Sequence, residues 1–248
     1  MKKFKVEKIE KQIIVKFSNK TVALPKKVQS KIDAYWNQLI AEGKGYKRGE
    51  VFTVTNKDVE DDRINILVEK TDYAHYLYCT DVEFLGVDNI HTIHTSVLVE
   101  SSDGYIIFGV MGKQTSRAGI IQLCGGGIDN DDLRGNVFDF DHNISRELKE
   151  ELDIDVFDSN RVVNFKKEYF KDGGPTDKMA VIYKIVLSDT RDEFLSKYKQ
   201  FERKLEEPEF EKLVTIKKDK NSIAKFLAQK NVVFDESLEA LFKKMMNE

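Results

Sequence analysis

The feature that most limits how this chain can fold is an apolar run that ends in three consecutive glycines. Residues 120–123 have the length and composition of a short buried strand. Gly125, Gly126 and Gly127 follow almost at once, and glycines allow a tight turn and a close approach between backbone and ligand. The segment therefore predicts a strand that ends in a tight loop.

Three glutamates at helical spacing follow downstream. Glu147, Glu150 and Glu151 lie three and four positions apart, so a helix places them on one face. Like charges at this spacing repel by about 0.2–0.5 kcal/mol per exposed pair. A divalent cation such as Mg²⁺ or Mn²⁺ would remove that repulsion, because it prefers oxygen ligands. The alternative is a solvated surface helix, since 33% of the chain is charged. The glycine loop ahead of the helix favours the metal site.

Together, the glycine loop and the acidic helix resemble the sequence box of the Nudix hydrolases. That box reads Gly, five residues, Glu, seven residues, then Arg-Glu-apolar-any-Glu-Glu-any-Gly-apolar. Here Gly126 is followed after five residues by Asp132, and residues 146–151 match the Arg-Glu-apolar-any-Glu-Glu run in full. Thirteen residues instead of seven separate Asp132 from Arg146, and Asp153 stands where the family has glycine.

The resemblance implies catalytic and metal-binding roles for the helix residues. Glu150 and Glu151 would bind Mg²⁺ or Mn²⁺. Glu147 would be a third ligand, or the group that orients or deprotonates water. Arg146 would hold a nearby carboxylate in place as part of the catalytic helix. Cleavage of a phosphoanhydride depends mainly on neutralising charge on the phosphate oxygens, which suits such a metal-binding cluster.

The predicted substrate-binding residues lie mostly in the glycine loop. Gly125, Gly126 and Asp132 come from the box, and a glycine carbonyl would be available to the metal. Arg117 belongs to residues 116–119, which resemble a Ser/Gln-Arg-X-Gly run in a Nudix subgroup that acts on UDP-glucose. Its guanidinium matches phosphate geometry, and Lys113 is a further candidate. The alternative interpretation is that Arg117 and Lys113 are simply charged residues on a solvent-exposed loop.

The N-terminal part resembles the same subgroup through looser motifs at residues 32–36, 49–52 and 71–73. The resemblance implies metal-dependent hydrolysis of the pyrophosphate bond of a nucleoside diphosphate linked to another group, with a nucleotide sugar such as UDP-glucose slightly favoured. One alternative is a pyrophosphatase for ADP-ribose, dinucleotides or nucleoside triphosphates. Another is a Nudix-like sensor that binds a nucleotide without cleaving it.

Members of the family often use one more acid after the box. Glu168, Asp172 and Asp177 are candidates by position. Each is better explained as ordinary charge on a loop or an edge strand, so none is assigned a catalytic role.

The composition limits the partners. With 40 basic and 43 acidic residues, the net charge of −3 gives no sign of a nucleic-acid-binding surface. Cys79 and Cys124 are too few for a disulfide framework. The N-terminus lacks the apolar core of a signal peptide, and no apolar run of ~20 residues could cross a membrane. We expect a cytoplasmic protein with a small nucleotide substrate and no nucleic-acid or membrane partner; a homodimer is left open.

Hydrophobic periodicity agrees with the fold implied by the resemblance. That fold is α/β, a Nudix α/β/α sandwich with a mixed sheet over residues 93–248 and its C-terminal helices, preceded by an N-terminal α+β extension over residues 1–92. The pattern predicts a hairpin over residues 12–24 that turns at 18–20, and a helix after Pro25. Later strands are predicted at residues 95–99, 105–110, 162–169 and 179–187, and helices at 194–201, 223–227 and 238–245.

Overall fold

A computed structural model of the chain describes residues 2–174 and 177–248, with side chains from residue 5 onward. The strands in chain order are β1 Lys2–Lys8, β2 Gln12–Thr21, β3 Glu50–Val59, β4 Arg63–Asp72, β5 Ile93–Glu100, β6 Tyr105–Met111, β7 Ile121–Gln122, β8 Leu133–Arg134, β9 Val137–Phe138, β10 Val162–Gly174, β11 Met179–Leu187 and β12 Phe210–Lys217. The helices are α1 Lys26–Ala41, α2 Tyr73–Asp81, α3 Phe140–Leu152, α4 Arg191–Glu202, α5 Lys220–Leu227 and α6 Glu236–Asn247. Short 3₁₀ turns cover Gly86–Asp88 and Asn130–Asp132.

The main sheet is mixed, as the sequence predicted. Its strand order is β1-β10-β11-β5-β6-β12, and β7 pairs with β6 outside that path. β11 and β5 run parallel, whereas the other neighbouring pairs are antiparallel. The mixed α/β architecture predicted from the sequence is confirmed.

Alternating residues of the central strands face two separate helical layers. Val97 of β5 packs in a core with Leu148 of α3, whereas the adjacent Leu98 packs with Phe242 of α6. Successive side chains of a strand point to opposite faces, so one apolar strand can serve both layers. The result is an α/β/α sandwich with α3 and α4 on one face and α5 and α6 on the other.

The second sheet corrects one prediction made from the sequence. Its order is β3-β4-β2-β9-β8, and β2 is a single strand that pairs in parallel with β4. The predicted hairpin over residues 12–24 is therefore wrong. Asn19, at a φ of 60°, lies where the pairing register shifts between Phe17 and Thr21. The turn-forming residues produce an irregularity within a strand and not a chain reversal.

The two sheets exchange strands across the predicted boundary at residue 92. β1, from the N-terminus, forms the edge of the main sheet beside β10. In the other direction, the lengthened part of the box forms β8 and β9 and joins the second sheet through Lys16 and Val137. The ring of Phe138 then meets Phe52 edge-on at 4.8 Å. The boundary stays a prediction, and the contacts show that the N-terminal part and the box are built into each other.

Two strands of the main sheet were not predicted from the sequence. β1 and β12 are both rich in charged residues, and both lie at an edge of the sheet. Edge strands bury less side-chain surface than central ones, so their apolar pattern is weak. Among the helices in the described part of the chain, none combines the length and apolar character of a membrane span.

Candidate active site

The acidic helix α3 is fixed at both ends by aspartates. At its start, the Asp139 side chain accepts a hydrogen bond from the His142 backbone N–H at 3.0 Å. At its end, Asp153 adopts the left-handed conformation at a φ of 52°. This is the position where the family box has glycine, and aspartate is one of the few other residues that adopt this conformation with little strain. Ile144 and Leu148 are fully buried beneath the helix.

The glycine loop lies directly against this helix. A Cβ at Gly126 would overlap the carboxylate of Glu147, so only glycine lets the loop approach so closely. The Gly126 carbonyl accepts a hydrogen bond from the Thr95 N–H of β5 at 3.0 Å, which anchors the loop to the main sheet. The sequence predicted that the loop and the helix serve one site, and the structure brings Gly126 and Glu147 together.

We expect Gly125→Ala to destabilise the protein by about 2–4 kcal/mol. Gly125 has a φ of 142°, and a Cβ there would overlap the backbone carbonyl of Thr95, which cannot move aside as a flexible side chain can. Urea denaturation measures the loss. Gly127→Ala is the matched control, since a Cβ there meets nothing within 4 Å. Equal stability of the two variants would contradict the steric argument.

Three carboxyl groups form the acidic centre of the site: Glu147, Glu151 and Glu209. The first two are 9% and 5% exposed on α3, and Glu209 lies just before β12. The pKa of Glu147 is raised to about 7, mainly by burial; repulsion from Glu209 and Glu150 contributes to the rise, and Arg146 opposes it. Burial is also the main reason that the pKa values of Glu151 and Glu209 are raised, and Glu209 and Glu147 add repulsion at Glu151. Keeping these carboxyl groups ionised without a cation therefore costs considerable free energy.

The donor set of this acidic centre suits a hard divalent cation. Both carboxyl oxygens of Glu151 are buried and make no hydrogen bond within the described residues. Buried polar atoms normally have a hydrogen-bond or metal partner. The two unpartnered oxygens of Glu151 in the acidic centre therefore indicate a missing partner. Over residues 2–174 and 177–248, no three His, Cys, Asp or Glu side chains are already arranged as a metal site. The chemistry of the donors fits Mg²⁺ or Mn²⁺, and the side chains would have to adjust around it.

Arg146 lies among carboxylates, as the sequence suggested. One of its terminal nitrogens is 3.1 Å from both Asp129 and Glu147, and the other is 3.1 Å from Glu150. The Glu150 side chain is 59% exposed and points to this ion pair, not into the acidic centre. Of the three predicted metal ligands, the structure thus groups Glu147 and Glu151 and leaves Glu150 at the rim.

Asp132 lies beside the start of α3 and outside the cavity described below. It is fully buried, and its carboxylate accepts hydrogen bonds from the Asp129 N–H at 3.0 Å and the Asn143 amide at 2.8 Å. Asn143 also donates to the Gly127 carbonyl at 3.0 Å. In this structure Asp132 connects the glycine loop to the helix, whereas the sequence had suggested a contact with substrate.

A cavity of about 420 Å³ opens beside the acidic centre. The glycine loop and Glu209 line one part of it, and Arg117 and Lys178 line another. The Arg117 guanidinium forms an ion pair with Asp235 at 2.6 Å. The predicted substrate-binding residues Gly125, Gly126 and Arg117 therefore share one cavity with an acid that the sequence did not identify.

Glu209 was not singled out in the sequence because it precedes a weakly patterned edge strand. The signal available was an acid after Pro208 and before the alternating apolar residues of β12. The three acids considered instead have partners elsewhere: Glu168 pairs with Lys166, Asp172 pairs with Lys57, and the Asp177 carboxylate lies 3.2 Å from Nδ1 of His91.

Comparison with protein-family models gave no match, and comparison with curated proteins gave none. Solved structures do align with the chain. A MutT protein from Methanosarcina mazei has 13% identity and a TM-score of 0.39 over 63% of this chain and 94% of its own. The NUDIX domain of Shewanella oneidensis NrtR in complex with ADP ribose has 9% identity and a TM-score of 0.40 over 70% and 98%. A bifunctional NMN adenylyltransferase/ADP ribose pyrophosphatase from Francisella tularensis has 13% identity and a TM-score of 0.43 over 71% and 47%.

At such identities and TM-scores the alignments carry no argument about function, which depends on the geometry of the site itself. In that geometry, Glu147 of the acidic helix contacts the glycine loop, and this loop lines one cavity together with Glu209, which comes from the far edge of the sheet.

Proposed function

We propose that this chain is a Nudix-type hydrolase that cleaves the pyrophosphate bond of a nucleoside diphosphate linked to another group. A nucleotide sugar such as UDP-glucose is slightly favoured as the substrate. The observation that carries the proposal is the acidic centre of Glu147, Glu151 and Glu209, which meets a cavity large enough for a small molecule through Glu209.

Mg²⁺ or Mn²⁺ would be held by Glu151 and Glu209, with Glu147 and Glu150 as the further candidates. When bound, such an ion neutralises charge on phosphate oxygens and lowers the pKa of water. Glu147, which lies against the glycine loop, would orient the attacking water or accept its proton. Arg146 keeps Glu147 in place through their 3.1 Å contact. Arg117 supplies positive charge in the cavity that Glu209 and the glycine loop also line.

A substrate panel tests this proposal. The full-length protein is incubated with Mg²⁺ and, separately, with UDP-glucose, other UDP-sugars, ADP-ribose, dinucleotides and nucleoside triphosphates, and the products are resolved. We expect cleavage between the two phosphates, to UMP and glucose 1-phosphate in the case of UDP-glucose. Preferential cleavage of ADP-ribose, dinucleotides or triphosphates would replace the nucleotide-sugar assignment and keep the reaction type.

The competing function is a nucleotide sensor that binds without cleaving. The unpartnered buried oxygens of Glu151 argue against it, because a binder with no chemistry to perform has no evident use for such an acidic centre. Tight binding of one member of the panel, with no turnover of any member in Mg²⁺ or Mn²⁺, would overturn the hydrolase in favour of the sensor.

A further inference from the structure

Three tyrosines from the N-terminal part form an aromatic wall along the cavity. Tyr46, Tyr73 and Tyr76 all line it and so face the same space as the glycine loop. The rings of Tyr73 and Tyr76 are stacked, with centroids 5.6 Å apart and planes 14° apart. Tyr46 meets Tyr73 edge-on at 6.1 Å. We call these three residues the tyrosine wall; none of them belongs to the box or was assigned a role from the sequence.

Contacts with two later segments of the chain hold the tyrosine wall in place. The Tyr73 hydroxyl donates to the Ser116 hydroxyl at 2.7 Å, in the loop that also carries Arg117. The Tyr76 hydroxyl accepts from the Lys178 ammonium at 2.7 Å, and the same ammonium lies 4.6 Å from the Tyr76 ring centre. Rings fixed before a ligand arrives lose little conformational entropy on binding. The wall is therefore preorganised.

The cation beside the wall is well placed for an anionic ligand. Lys178 is only 8% exposed, yet it lines the cavity, and its described side-chain partners are the hydroxyl and the ring of Tyr76. Arg117 lines the same cavity, but its guanidinium is already paired with Asp235. The Lys178 ammonium has no ion pair with a carboxylate among the described residues, so it gains more from an incoming phosphate than a cation already neutralised by an acid.

We propose that the tyrosine wall and Lys178 form the nucleoside-recognition site of this cavity, with the base against the rings and a phosphate against the ammonium. This inference rests on the proposed function, because it identifies which part of the chain selects the substrate. A planar base offers a π-face for contact with tyrosine, whereas the sugar of a leaving group does not. Specificity would then reside in the N-terminal part and chemistry in the box.

Binding of uncleavable nucleotides tests this without requiring turnover. UMP and AMP contain no anhydride bond, and glucose 1-phosphate is a probe that lacks a base. Their affinities are measured by calorimetry on the full-length protein in Mg²⁺. We expect at least one nucleotide to bind about tenfold or more tightly than glucose 1-phosphate, and Tyr73→Ala to remove that preference. Lys178→Gln should weaken all three probes, because it removes the phosphate contact; it also removes the hydrogen bond to the Tyr76 hydroxyl, so the base preference itself is tested with the tyrosine variants.

Tyr73→Phe is the matched control, since it keeps the ring and loses only the hydrogen bond to Ser116. It should keep most of the preference for nucleotide, and thermal unfolding of each variant shows that it is folded. Should Tyr73→Ala misfold, Tyr46→Ala replaces it, because the Tyr46 side chain makes a ring contact with Tyr73 and no hydrogen bond within the described residues.

The outcomes separate this inference from the proposed function. If Tyr73→Ala binds nucleotides as the unaltered protein does, or if glucose 1-phosphate binds as tightly as both nucleotides, the nucleoside site is wrong even where hydrolysis is observed. If no substrate is cleaved but nucleotide binding depends on Tyr73, the hydrolase proposal fails and the nucleoside site stands.

Discussion

Glu151→Gln is expected to lower kcat/KM for phosphoanhydride hydrolysis by about 100-fold or more. The change removes a negative charge from the acidic centre and leaves the shape of the side chain nearly unaltered. Glu151 is 5% exposed, and both its oxygens lack a hydrogen-bond partner in the described structure, so a metal is the partner that would explain its position. Initial rates at saturating Mg²⁺ measure the effect. Activity within a few fold of the unaltered protein would contradict the assignment of α3.

Two further glutamates make this test specific to the structure. Glu209→Gln should cause a loss of the same order, because its half-buried carboxyl belongs to the same centre, whereas Glu211→Gln, two residues along on an exposed part of β12, should cause none. The loss for Glu150→Gln should be smaller, since that carboxylate is 59% exposed and paired with Arg146.

Metal binding gives a readout that is independent of substrate. Mn²⁺ should raise the thermal unfolding temperature of the unaltered protein, because a ligand that binds only the folded state stabilises it. That increase should be lost in Glu151→Gln and kept in Glu211→Gln.

Phe138→Ala is expected to destabilise the protein by about 3–5 kcal/mol. Phe138 is 4% exposed and belongs to the core shared by the two sheets, where its ring meets Phe52. The substitution leaves a cavity between the lengthened part of the box and the N-terminal sheet. Urea denaturation followed by circular dichroism measures the free energy of unfolding.

The matched control is Phe157→Ala, because Phe157 is 87% exposed. It should change the free energy of unfolding by less than about 0.5 kcal/mol. A comparably small loss for Phe138→Ala would mean that the lengthened part of the box is not anchored to the second sheet. A large loss would support a structural role for the six additional residues, which the sequence left without an explanation.

The parts of the fold that could be predicted are those with strong local patterns. Helix α1 follows Pro25 with apolar residues at helical spacing, and β5, β6, β10 and β11 were each located to within a few residues. The wrong prediction, a hairpin turn at residues 18–20, lies where the local sequence is compatible with two different structures. Ser18, Asn19 and Lys20 are turn-forming residues, but pairing with β4 carries the chain straight through them.

The candidate site divides in the same way. The part of the site that lies within the box could be predicted. Glu147 and Glu151 are four residues apart, and the 3.6-residue turn of a helix places them on the same face. The other half comes from residues far apart in sequence. Glu209 reaches the acidic centre only because β12 pairs with β6, and Tyr73 reaches the cavity only because α2 follows the second sheet.

The sequence by itself determined the order of strand, glycine loop and acidic helix, and with it the chemistry expected of α3. Those features depend on spacing over a few residues, where backbone geometry leaves little freedom. The tertiary structure decided which acids share the acidic centre, that Glu150 lies at its rim, and that the tyrosine wall lines the same cavity. These depend on the pairing of strands distant in the chain, which is set by the packing of whole sheets and helices and leaves no local signal in the sequence.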